Sequence, residues 1–153
     1  MVVTPSKEKL IIENFIEYSF DKEDYDFTPN FEIFKKLNST DQYFLAENYN
    51  WDDGLVVLDW IISSPKCDKG TATLIFWNAE PRDYAEFNTD NVEESAKEIF
   101  DLLQKIISKF KNNEFRKKQF KYLPAAHDVL NYSSAYDIWN LPQELTDGNK
   151  GVL

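Results

Sequence analysis

The sequence predicts a mainly α-helical protein, an irregular bundle of about six helices in a single domain spanning residues 1–153. Three observations predict it. Apolar residues recur at three- and four-residue spacing, most clearly in VEESAKEIFDLLQKIISKF. Helix start signals precede most of the apolar runs. Gly (4) and Pro (6) are few while aromatics reach 16%, a mixture that suits helices with aromatic packing faces better than a turn-rich sandwich.

The elements follow in order. Thr4-Pro5 supplies a cap and a helix-compatible Pro ahead of SKEKLIIENFIEYSF, whose Leu10, Ile11, Phe15 and Ile16 make an amphipathic face. After the acidic stretch DKEDYDF, Thr28-Pro29 opens a short helix with Phe31, Phe34 and Leu37 inward. Ser39 with Gln42 reads as a capping box for TDQYFLAEN. LVVLDWIIS is apolar nearly all round and fits a buried strand or a helix; the acidic residues before it and SSPKCD after it favour the helix. Asp68 then caps KGTATLIFWNA, so residues 55–79 form an αα-hairpin. The polar, aromatic EPRDYAEFNTDN reads as a surface loop. Asp90 and Glu93 form a further box before the helix of residues 91–111, which carries the stripe Val92, Ala96, Ile99, Leu103, Ile106 and Phe110, widened by Phe100 and Ile107. EFRKKQFKYL fits helix or strand, YSSAYDIWNLPQEL fits short helical turns with Pro142 opening the last, and residues 145–153 are expected to fray.

Charge narrows the partners. Net charge is −10, against nucleic acid, whose phosphates reward Lys and Arg. Residues 104–121 hold seven Lys/Arg and only Glu114; removing these from 17 basic and 27 acidic residues leaves 10 and 26, a net −16 elsewhere. Such a field favours cationic partners. The interleaved Phe110, Phe115, Phe120 and Tyr122 of that basic stretch also occur in nucleic-acid binders, but they fit a core as well. The lone Cys67 excludes an internal disulfide and points to a reducing compartment. The N-terminus lacks a signal-peptide pattern, and LVVLDWII is too short for a membrane span, so a cytoplasmic protein without a membrane partner is expected.

Candidate chemistry is sparse, and no cofactor is expected. Cys67, the sole His127 and Asp128 contain the residue types of a nucleophile, base and orienting group, but spacing does not bring them together. Asn48, Asn50, Asp52 and Asp59 fall at positions 1, 3, 5 and 12 of a calcium loop, yet its Gly belongs at position 6, where Asp53 stands, and Gly54 comes seventh. Asp52-Asp53-Gly54 and Asp68-Lys69-Gly70-Thr71 fit helix starts better than metal ligands, and no metal site is expected. The alternative is a metal-dependent or carboxylate-based enzyme using Asn50, Asp52 and Asp53.

In NYNWDDGLVVLDWIISSPKCDKGTATLIFW, the residues Asn50, Trp51, Asp52, Asp53 and Gly54 precede an apolar helix, then Pro65, Cys67 and Asp68, then Gly70, Thr71 and Ala72. This pattern resembles a bacterial domain-of-unknown-function family, family 4274. It departs where Leu58-Asp59 stands in place of a Pro-containing helix start. The resemblance implies a small helical bacterial protein and carries no catalytic residues. By analogy with small acidic proteins of that kind, the expected function is non-catalytic: an immunity-type protein that neutralises a cognate cationic toxin. The expected interface is the acidic, aromatic loops around Asp21, Asp24, Tyr25, Asp26 and around Asp83, Tyr84, Glu86, Phe87.

Overall fold

The computed structural model describes residues 2–17, 28–135 and 139–151. They are mainly helical: α1 (Pro5–Ile11), α2 (Phe31–Phe34), α3 (Ser39–Asn48), α4 (Val56–Ser63), α5 (Lys69–Asn78), α6 (Lys97–Lys111), α7 (Ala126–Ala135) and α8 (Gln143–Asp147). The eight helices exceed the expected six by α7, in a segment that shows no clear pattern in the sequence, and by α8, the short turn expected after Pro142. The chain divides into two compact units, Met1–Cys67 and Asp68–Leu153. The two helices of the expected hairpin are both present and fall in different units.

In the first unit, Thr4 Oγ1 accepts a hydrogen bond from Lys7 N at 3.3 Å and Pro5 opens α1, as the sequence predicts. The helix widens into a π turn over Ile12–Ile16, and Ile11 and Phe15 are fully buried. Asn30, not Thr28, caps α2 by accepting from Ile33 N at 3.2 Å. Phe34 and Leu37 point inward, but Phe31 remains 46% exposed, against the expected pattern.

The capping box of α3 lies one residue before the expected one. Asp41 N donates to Asn38 Oδ1 at 2.9 Å, and Asn38 N donates to Asp41 Oδ2 at 3.0 Å. Lys7 Nζ reaches that same buried carboxylate at 3.2 Å and ties α1 to α3. Ser39 and Gln42, the expected box residues, instead hold the loop after α4: Ser39 Oγ donates to Lys66 O at 2.6 Å and Gln42 Nε2 donates to Ser64 Oγ at 2.9 Å. LVVLDWIIS is helical, with Val57, Leu58, Ile61 and Ile62 buried and Val56 outward.

In the second unit, α5 buries every residue from Gly70 to Trp77. The expected loop after it contains a 3₁₀ turn, Pro81–Tyr84, with Pro81 and Ala85 buried. The expected Asp90/Glu93 box does not form. Asn88 Oδ1 accepts from Asp90 N and Asn91 N instead, and a 3₁₀ turn at Glu94–Ala96 with no side-chain cap leads into α6. The predicted stripe is buried at Ala96, Phe100, Leu103, Ile106, Ile107 and Phe110, with Leu102 added and Ile99 and Val92 only half-buried. α6 stops at Asn112, and Asn113 adopts a left-handed φ of 54°.

EFRKKQFKYL is neither helix nor strand but irregular, with isolated bridges Asp68–Lys117 and Tyr122–Asn149. Residues 145–149 are tied down, where fraying was expected. Tyr122 and Asn149 exchange two backbone hydrogen bonds of 2.8 Å, Asn149 Nδ2 donates to Phe120 O at 2.6 Å, and Leu145 is fully buried. Trp77 Nε1 donates to Leu145 O and Trp139 Nε1 to Phe87 O, each at 2.8 Å, so two indoles anchor segments distant in sequence. Among the described residues, no helix is long and apolar enough to cross a membrane.

Candidate functional site

The Asn-Trp-Asp-Asp-Gly stretch folds as a 3₁₀ turn over Trp51–Asp53 rather than as the start of α4. Asn50 Oδ1 accepts from Asp52 N at 3.0 Å, so Asn50 is the capping residue. α4 begins after Leu55 without a side-chain cap, which overturns the capping role expected for Asp52 and Asp53. Asp52 is exposed, whereas Asn50, Trp51 and Asp53 are half-buried.

Gly54 has φ 92° and ψ 179°, a conformation essentially restricted to glycine, while a Cβ there would meet nothing within 4 Å. Its role is conformational, not one of close packing. Gly54→Ala is expected to destabilise by about 1–3 kcal/mol through strain alone. A denaturant titration checks this, and Gly54→Asn should lose a similar amount, because the left-handed conformation that Asn tolerates has ψ of about 30–60°, far from the 179° held here.

Tyr49 closes the turn by donating from its hydroxyl to Gly54 O at 2.9 Å. Burial, and secondarily the Asp53 charge, push its phenol well above the ordinary tyrosine value. The folded state therefore retains this proton where the unfolded chain releases it. The contribution is intact below the unfolded phenol's pKa of about 10 and is lost as pH rises beyond it. Stability should fall between about pH 9.5 and 11.5 in the wild type, and Tyr49→Phe should flatten that fall while losing the hydrogen bond at neutral pH. Urea melts across this range provide the test.

Asp68 is the most heavily used polar side chain of the motif region. It is 0% exposed and accepts from Gly70 N at 2.7 Å, Gln119 N at 2.5 Å and Phe120 N at 3.2 Å. The first bond caps α5, as expected; the other two hold the 117–120 segment against the start of that helix. Lys69 N adds a backbone bond to Lys117 O at 2.7 Å. Gly70 allows this approach, because a Cβ would overlap Phe120 O and lie 2.8 Å from Phe120 C. Cys67 and Thr71 are also buried, and Thr71 Oγ1 has no partner among the described residues. Cys67 is thus an inward side chain, while His127 is exposed beside Asp128 at 3.2 Å.

The expected partner-binding residues divide into two groups. Asp21, Asp24, Tyr25 and Asp26 lie outside the described residues. Asp83 and Glu86 are exposed and Tyr84 and Phe87 half-buried on the turn after α5. There the chain borders a cleft of about 400 Å³ lined by Glu80, Asp83, Asp128, Arg82, Asn78 and Asn131, with Trp77 and Pro81 beside them. Glu80 holds a left-handed backbone, φ 56° and ψ 64°, which is uncommon for a non-glycine residue. Burial, then Asp83, then Glu80 raise the Tyr84 phenol above its ordinary value, which marks a negative local field. Sequence reasoning missed Glu80 and Asp128, since Asp128 joins the cleft only through the chain reversal that brings α7 to this turn. Among the described residues, no group of three or more His, Cys, Asp or Glu is placed to hold a metal ion.

These features define a mainly helical, acidic protein whose motif residues serve turn geometry and buried hydrogen bonding. Residues 37–111, from the entry to α3 to the end of α6, match the model of a family described as "Domain of unknown function (DUF4274)", and the chain carries that domain. No curated protein and no solved structure matches the chain.

Proposed function

We propose that this is a non-catalytic binding protein of the immunity type, acting in the cytoplasm, which neutralises a cognate toxin by occupying a cationic surface on it. The observation that supports the reading best is the cleft lined by Glu80, Asp83 and Asp128 together with Arg82, in a chain of net charge −10. Three carboxylates around an opening of that size suit the insertion of a Lys or Arg side chain, while Tyr84 and Phe87 add half-buried aromatic area at its edge. The exposed Glu86 extends the negative field.

Electrostatic complementarity of this kind acts mainly on the association rate. Co-expression with the product of the neighbouring gene, followed by pull-down and stopped-flow kinetics, should yield a complex. Its association rate should drop about tenfold or more between 0.1 and 1 M salt, as the Debye length shortens from ~10 to ~3 Å. Charge reversal at Asp83, Glu86 and Asp128 should reproduce that drop at low salt. A complex indifferent to both salt and charge reversal would refute the reading.

A further inference from the structure

The first unit carries a surface of opposite character. An open groove of about 450 Å³ runs along residues from α2, the start of α3 and the end of α4. Phe34, Leu37 and Gln42 are its buried members, and Phe31 and Pro65 are exposed beside the half-buried Trp60. Three rings cluster here: centroids are 4.9 Å apart for Phe31–Trp60, 5.5 Å for Phe34–Trp60 and 6.1 Å for Phe31–Phe34. Even so, Phe31 keeps 46% of its surface in solvent. A large aromatic left half-covered within a cluster of its own kind offers apolar area to an incoming side chain.

The rim has the wrong sign for the rest of the chain. Among the described residues, Lys35 and Lys66 line the groove and no acidic residue does, while Glu32 pairs with Lys35 at 3.3 Å. Counting that partner, the rim is net +1 in a chain of net −10. Lys66 Nζ has no partner among the described residues, and the backbone on either side of it is fixed by bonds to Ser64 and Ser39. At the buried side, Gln42 is 1% exposed; its Nε2 is engaged by Ser64, but Oε1 has no partner among the described residues.

We propose that this groove docks a protein segment presenting an aromatic or large aliphatic side chain flanked by carboxylates. The rings receive the apolar side chain, and the lysines select the acidic flanks. A small ligand fits less well. Such ligands need most of their surface enclosed, whereas Phe31, Lys35, Ser63, Pro65 and Lys66 are all exposed. A basic segment would meet the lysines and be repelled. This surface therefore takes a different partner chemistry from the acidic cleft, and the proposal does not depend on the toxin-neutralising reading.

The test uses the full chain and three fluorescein-labelled peptides of about twelve residues, followed by fluorescence anisotropy. The first has Phe and Leu at its centre and Asp and Glu on both flanks. The second keeps that centre with Lys flanks, and the third keeps the acidic flanks with a Ser centre. The first should bind saturably with a Kd of tens of micromolar and the other two about tenfold more weakly or worse. Phe31→Ser, and separately Lys35→Glu with Lys66→Glu, should each weaken the first peptide about tenfold; all three positions are exposed, and unchanged melting curves confirm that the fold is retained. No saturable binding, equal binding of the Lys-flanked peptide, or indifference to both sets of substitutions would overturn the proposal.

Discussion

Asp68→Ala should lower stability by about 3 kcal/mol or more, well beyond the ~1 kcal/mol typical of a lost helix cap. The difference lies in what the carboxylate reaches. One oxygen serves Gly70 N and Phe120 N, and the other serves Gln119 N, all from a side chain with no solvent exposure. Truncation strands three N–H donors, and a buried donor without a partner costs about 1–3 kcal/mol. Relief from burying a charge offsets part of this, so the net loss stays below the sum of the three. Asp68→Asn separates the contributions: its oxygen can still face Gly70 and Phe120, while its NH₂ faces Gln119 N, donor against donor. It should lie between wild type and Asp68→Ala. Chemical denaturation with hydrogen exchange would test this, and the amides of Gln119 and Phe120 should lose protection first. A cost confined to about 1 kcal/mol, with those amides still protected, would reduce Asp68 to a simple cap.

How much of this was legible depended on whether a residue's partner lay nearby in the chain. Helical spacing located α6 and its buried face, because a fifteen-residue amphipathic segment states its inward side repeatedly. Asp68 was correctly read as a cap, since its Gly70 partner is two residues away. Its bonds to Gln119 and Phe120, about fifty residues on, left no local pattern, and the same distance hid Trp139 from Phe87. The C-terminal residues looked frayed for this reason: TDGNKG reads as polar coil, yet Asn149 completes a backbone pair with Tyr122.

The misplaced caps have a different cause. Ser39, Asp53 and Asp90 were each a plausible cap by residue type, but Asn38, Asn50 and Asn88 provide the observed acceptors nearby. Asn and Asp are nearly equivalent caps, so composition locates such a turn only to within a residue or two. Phe31 departs from its expected inward place because a one-turn helix such as α2 has too few residues for periodicity to define an inward face. The acidic cleft was half legible. Asp83 and its neighbours stand out in the sequence by charge and aromatic content, while Asp128 arrives from a helix more than forty residues later.

Gly70→Ala should cost at least about 3 kcal/mol and lower Tm by roughly 8 °C or more for a chain of this size. A methyl group at that position overlaps Phe120 O and crowds Phe120 C, both backbone atoms, and also sits 3.1 Å from Asp68 Oδ1. Relief by a rotamer change is unavailable, because the obstruction is a peptide unit. Either α5 or the 117–120 segment must retreat. α5 is constrained by a continuous buried run from Gly70 to Trp77, so the segment should move and strain the two hydrogen bonds that it gives Asp68. That mechanism predicts non-additivity. Asp68→Asn already loosens the segment, so Gly70→Ala should cost less in that background than in the wild type, by about 1 kcal/mol or more in a double-mutant cycle. Additive losses would mean that the methyl group distorts α5 itself and that Asp68 and Gly70 stabilise the fold independently.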